Sequence, residues 1–178
     1  MASPADSADD VFHRDGSLRL ELMSEAAVEA LRESLRQARE TGWDNVRSPH
    51  VFMGLLAAPD ASVRYWGGRL EADLHLEGNL TTLLGQFQEL FCQQEGAGEA
   101  VLALHREFLS DNVIRLLRQA HQRAAYHRRS RLTPMDLLIS MLTAPNNIVA
   151  ECFERSSGVT AAKLTELAVI AEQQARRP

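Results

Sequence analysis

Lysine is almost absent from this chain: Lys163 is the only one among 19 basic residues, and it follows Thr160-Ala161-Ala162 rather than a glycine-rich turn. A phosphate-binding P-loop needs a lysine after such a turn, so the sequence argues against nucleotide hydrolysis by this chain. No lysine stands in a kinase-like or Schiff-base setting either. Cysteine is nearly as scarce, with only Cys92 and Cys152. The N-terminus is polar and acidic and does not read as a secretory signal, so free thiols in a reducing, cytoplasmic setting are expected. No apolar run approaches the roughly 20 residues that span a bilayer, and no membrane partner is expected. The six histidines show no HExxH spacing, neither cysteine has a nearby His–Asx pattern, and no G-x-S-x-G elbow occurs. No catalytic residue, cofactor site or metal ligand follows, and the expectation is a protein that is not an enzyme. A net charge of −5 is unlike the basic surface of a general nucleic-acid binder, although it leaves room for a local basic patch.

What the chain does have is a repeat. Residues 48–59 read SPHVFMGLLAAP, and 86 positions later residues 134–145 read PMDLLISMLTAP. At the same offset Ser24 falls on Ser110, Leu31 on Leu117, Arg32 on Arg118, Ala38 on Ala124, Val46 on Leu132 and Val63 on Val149. Repetition at a fixed period marks one supersecondary unit that needs its neighbour to bury an apolar face.

Helix signals recur inside each copy. Ser24 is an N-cap, Glu25 suits the positive helix end, and Ala27, Val28, Leu31, Leu35 and Ala38 form one stripe at spacings of three and four. Ser48-Pro49 predicts the next helix, with serine as cap and proline at the first position. Its residues Val51, Phe52, Leu55 and Leu56 make it central. Asp60 caps a third, short helix expected to stop at Gly67-Gly68. A fourth carries Leu80, Leu83, Leu84, Phe87, Leu90 and Phe91. The second copy repeats the scheme with Ser110, Thr133-Pro134, a start near Asn147, and Thr160 as the last cap.

The expected fold is all-α: two pseudo-twofold related four-helix repeats. A small hairpin is allowed over residues 11–22, where Asp15-Gly16 separates two short alternating runs. The expected divisions are an N-terminal extension over 1–22, partly disordered; a first repeat over 23–94; a glycine-containing linker over 95–108, led by residues 95–99 and followed by a short helix; and a second repeat over 109–178.

These residues resemble the double repeat that forms the N-terminal domain of Clp-type AAA+ chaperones. The family's helix resembling Thr-Glu-His-Leu-Leu-Leu-Ala-Leu-Leu is matched by the run from Arg47 to Leu56 and again from Thr133 to Leu142. Gly158-Val159-Thr160 followed by Lys163-Leu164 matches its closing turn. The resemblance implies a non-catalytic protein or peptide recognition module, with cargo passed to a Clp-type ATPase ring in cis or in trans for degradation, disaggregation or disassembly of a type VI secretion sheath. No ATPase module follows Pro178, which fits both an excised domain and a free-standing adaptor. The family histidine is His50 in the first copy and Asp136 in the second, and the acid before it is Pro49 and Met135. In some relatives those acids help to read phosphorylated arginine, so an apolar contact is expected here instead.

Each candidate residue has a structural reading beside the functional one. Ser24 and Ser110 are caps that also lie where the family meets its substrates. His50 reads first as a hydrogen-bonded structural histidine and second as a partner contact. Trp43, Tyr65 and Trp66 are aromatic anchors if exposed and core if not. The basic stretch 121–131 suits a helix C-terminus, and Arg128 and Arg129 would place charge at the rim of an apolar groove. An alternative reading is a free-standing helical regulator that binds nucleic acid through that patch. The partner-binding candidates are therefore Ser24, Trp43, Pro49, His50, Ser110, Arg128, Arg129, Met135 and Asp136.

Overall fold

The structure, a computed structural model, describes residues 10–93 and 101–176. Among them the chain forms eight α-helices and no sheet: α1 (Glu25–Glu40), α2 (Ser48–Ala57), α3 (Ala61–Leu74), α4 (Leu80–Phe91), α5 (Asp111–Tyr126), α6 (Pro134–Thr143), α7 (Ile148–Ser157) and α8 (Ala161–Ala175). Helix starts follow the local chemistry. Ser24, Asp60, Asn79, Ser110, Thr133, Asn147 and Thr160 each accept a backbone N–H from the first turn they cap. The start of α2 differs from expectation by one residue. Arg47 is its N-cap, Ser48 lies inside the helix, and the His50 ring takes the Arg47 N–H at 2.9 Å.

Three expectations change in the folded chain. First, α3 runs through Gly67-Gly68 and ends only at His75, which adopts a left-handed conformation (φ 54°). Gly67 is at a close approach, since a Cβ there would lie 2.8 Å from Leu80 Cδ2 and 3.0 Å from the Gly78 carbonyl. Packing against the next segment offsets the helix cost of glycine, about 1 kcal/mol. Second, the hairpin shrinks to a turn with a single bridge between Phe12 and Leu18, and Leu20–Leu22 forms a 3-10 turn rather than a strand. Residues 101–108 likewise yield only the 3-10 turn Arg106–Phe108, and the linker residues 95–99 lie outside the described residues. Third, the repeat offset lengthens by one residue after α6. Asn146, at φ 57°, is an extra residue before the cap, so Asp60 corresponds to Asn147 and Trp66 to Phe153.

The two repeats clasp each other symmetrically. Met23, leading into α1, bridges Leu132 of the second repeat, and Leu109, leading into α5, bridges Val46 of the first. Ser24 N–H donates to the Leu132 carbonyl at 2.9 Å, and Ser110 N–H to the Val46 carbonyl at 3.0 Å. Each repeat thus satisfies backbone groups that the other would leave open. Inside, α2 and α6 are buried on nearly every side, with α1 and α4 against α2, and α5 and α8 against α6. The equivalent rings Trp66 and Phe153 meet edge-on at 6.3 Å, and Phe52 touches both. The buried Trp66 N–H donates to the Leu164 carbonyl at 3.2 Å. Val11, Phe12 and Leu18 join this core, and Asp10 is tied to Arg118 by two hydrogen bonds of 2.9 and 3.0 Å.

Candidate functional site

A groove of about 250 Å³ opens where the repeats meet. The first repeat supplies the loop before α2 (Trp43, Arg47), the start of α2 (Ser48, Pro49, His50), and Phe91 at the end of α4. The second supplies the first turns of α5 (Ser110, Asn112, Arg115, Leu116, Gln119) and the connection from Met141 through Ile148. The Val46–Leu109 clasp sets these two surfaces against each other. The volume is below the usual range for small-molecule pockets, roughly 300–1,000 Å³, and suits one or two side chains of a bound segment.

The wall from the first repeat is aromatic, with an uncharged histidine and a single cation, Arg47. The His50 Nδ1 accepts the Arg47 N–H, so the ring proton is on Nε2, facing Thr41 Oγ1 at 3.3 Å. That hydroxyl in turn donates to the Gln37 carbonyl at 2.6 Å. Burial, with the Arg47 charge adding to it, pushes the His50 pKa down to about 4, so the ring is uncharged at neutral pH. Trp43 meets His50 edge-on at 5.4 Å and donates its indole N–H to the Phe91 carbonyl at 2.7 Å. The Arg47 guanidinium stands 4.8 Å from the centre of the Trp43 ring.

The equivalent corner of the second repeat is built from charge. By the repeat offset Gln37, Trp43 and His50 correspond to Arg123, Arg129 and Asp136, and counted from the helix caps Phe91 corresponds to Glu172. Asp136, fully buried, accepts from Arg123 at 2.7 Å, from Arg129 Nη2 at 2.6 Å and from the Thr133 N–H at 2.8 Å. A further contact runs from Arg129 Nη1 to the other carboxylate oxygen. Glu172 takes two bonds from Arg123, at 2.6 and 3.0 Å. Burial pushes the Asp136 carboxyl up, but Arg129, the Thr133 N–H and Arg123 outweigh it, and its pKa lies below the usual carboxylate value.

These two corners separate the nine candidate residues. Trp43, Pro49, His50 and Ser110 line the groove, Pro49 and His50 as buried residues that form its floor. Ser24 caps α1 beside the other clasp. Met135 is buried and Asp136 is enclosed by arginines, so neither presents a surface. Arg129 is committed to Asp136, and Arg128, although exposed, does not line the groove. The basic stretch 121–131 thus loses Arg123 and Arg129 to internal neutralisation, which weakens the nucleic-acid reading. Trp66 is core, not an exposed anchor, and Tyr65 is exposed but does not line the groove. Arg47, Phe91 and Arg115 were not singled out from the sequence. The Ser110 cap could have pointed to Arg115, which follows it by little more than one turn, but Phe91 joins the site only through tertiary packing.

Among the described residues, no group of three or more His, Cys, Asp or Glu side chains could hold a metal ion, and no helix is long and apolar enough to cross a membrane. A second hollow of about 210 Å³ lies between α4 and α7, with Leu83, Phe87, Leu90 and Cys152 on its walls. Burial pushes the Cys152 thiol pKa up, which makes it a poor nucleophile.

No protein-family model and no curated protein matches this chain. Among solved structures, 22 chains match. One is the crystal structure of the N-terminal domain of the caseinolytic protease associated chaperone ClpD from Arabidopsis thaliana. It superposes with a TM-score of 0.63 at 17% identity, covering 89% of this chain and 99% of that one. This chain therefore has the fold of a Clp N-terminal domain.

Proposed function

We propose that this chain is a non-catalytic recognition module. It holds a protein or peptide segment in the groove between its repeats and delivers it to a Clp-type ATPase ring, joined in cis or met in trans in the cytoplasm. The observation that carries the reading is the groove itself: an aromatic wall from one repeat, free of acidic side chains, faces the helix starts of the other at a clasped seam. Apolar grooves of this kind take extended or helical segments through a few anchors. The likeness to the domain of a protease-associated chaperone supports the same use. Degradation, disaggregation and sheath disassembly all begin with such a capture step.

Trp43 provides the readout. Trp66 is fully buried, so a fluorescence change on titration with peptides reports Trp43 at the groove. Binding is expected in the micromolar range, as suits one shallow hollow after ordering costs. Trp43→Ala, followed by titration calorimetry because it removes the reporting ring, is expected to weaken binding by at least about tenfold, the behaviour of a central aromatic anchor. Absence of binding by every member of a diverse peptide set up to roughly millimolar concentration would refute the proposal, since weaker contacts offer no useful capture.

A further inference from the structure

We infer that the groove selects an acidic segment: an apolar side chain seated against Trp43 and Phe91, flanked by carboxylates that meet Arg47 and Arg115. This deepens the recognition reading above and rests on it. In a chain of net charge −5, no Asp or Glu lines the groove, whereas two arginines do. Asp44 and Asp111 adjoin lining residues in sequence but do not line it themselves.

Both arginines are exposed, and among the described residues neither forms an ion pair. Some arginines elsewhere are paired: Arg118 with Asp10, Arg123 and Arg129 with Asp136, and Arg36 with Glu40. Others, such as Arg32 and Arg128, form no ion pair among the described residues, so it is the absence of any acid from the groove lining that sets Arg47 and Arg115 apart. Arg47 is instead held over the Trp43 ring, so cation and anchor sit side by side. Three helices, α2, α5 and α7, also begin at the groove, and their positive ends add to the same field. The C-terminal ends of α4 and α6 also reach the groove, but the two arginines are its only charged side chains, so a cationic ligand would find no carboxylate there. The bound segment is therefore apolar at its centre and acidic at its edges.

Three synthetic peptides test this, sharing one central phenylalanine flanked by glutamate, glutamine or lysine. They are titrated against the whole chain at about 50 mM and about 500 mM salt, where screening lengths differ severalfold. The glutamate peptide is expected to bind about tenfold tighter than the glutamine peptide at low salt. That advantage should shrink at high salt while glutamine-peptide affinity changes little, the signature of rim electrostatics around an apolar anchor. Arg47→Gln with Arg115→Gln is expected to erase the advantage and keep the glutamine peptide bound, and Arg128→Gln to change neither. Equal affinity for the glutamate and glutamine peptides, or an unaltered preference in the double variant, overturns the charge selection and leaves the recognition reading standing. Failure of all three peptides to perturb Trp43 counts against the recognition reading itself. A single-stranded oligonucleotide that displaces the glutamate peptide at equal concentration would overturn the assignment to an acidic protein segment.

Discussion

Asp136→Asn offers the sharpest test of how the second repeat is held together. The wild-type corner balances two cations, Arg123 and Arg129, against two anions, Asp136 and Glu172, with Asp136 fully buried. The substitution leaves two guanidiniums around one carboxylate, and Arg176, 3.5 Å from Glu172, adds further positive charge at the rim. An asparagine oxygen can still cap the Thr133 N–H, but the new amide hydrogens then face arginine donors. Removing one partner from a buried ion pair costs about 3–5 kcal/mol, because charge is stranded away from water. The Arg123 and Arg129 side chains keep 16% and 20% exposure, so partial solvation points to the lower end, about 3 kcal/mol. With a urea m-value of about 2 kcal/mol/M, the midpoint followed by circular dichroism is expected to fall by about 1.5 M. Glu40→Gln, which breaks the exposed Arg36–Glu40 pair, serves as the control and is expected to leave the midpoint unchanged. A loss below about 1 kcal/mol for Asp136→Asn, or an equal loss in the control, would refute the account of this corner. The pH dependence has a fixed sign as well. Because the folded Asp136 pKa is depressed, its contribution is present above about 3.8 and is lost as pH falls through the folded value. The asparagine variant should lack that acid limb.

The remaining predictions concern other parts of the fold. His50 has a folded pKa of about 4 against 6.5, so stability is full above about pH 6.5 and declines as pH falls toward 4, by about 3 kcal/mol in all. Melts of His50→Gln across that range should be flatter, and an unchanged slope would contradict the neutral ring. Gly68→Ala, with nothing within 4 Å of the added Cβ, is expected to stabilise α3 by about 0.5–1 kcal/mol, whereas Gly67→Ala should destabilise it by crowding Leu80 and the Gly78 carbonyl. Equal thermal shifts of one sign would show that the close approach at Gly67 is not formed. Leu56→Ala and Leu142→Ala, at equivalent and buried positions of α2 and α6, are each expected to cost about 2–5 kcal/mol in urea melts.

Much of this molecule was legible in the sequence because it depends on interactions within a few residues. Ser24, Asp60, Ser110, Thr133 and Thr160 cap helices through N–H groups three positions on, so a local reading finds them. The alternation of apolar residues and the 86-residue offset then implied two like units, and the helices α1, α2, α5 and α6 repeat at that spacing. Other features depend on partners far along the chain. Whether Gly67-Gly68 ends α3 or lets another segment approach depended on Gly78 and Leu80. Whether Trp66 was anchor or core depended on the Leu164 carbonyl, 98 residues away. The largest divergence is between the two corners. The substitutions of Gln37, Trp43 and His50 by Arg123, Arg129 and Asp136 are visible in the aligned repeats, but the matching exchange of Phe91 for Glu172 appears only when α4 and α8 are packed in place. Charge buried at one corner must be neutralised by its neighbours and closes on itself. The neutral corner has no such demand, and its aromatic wall faces the helix starts of the other repeat across an open groove.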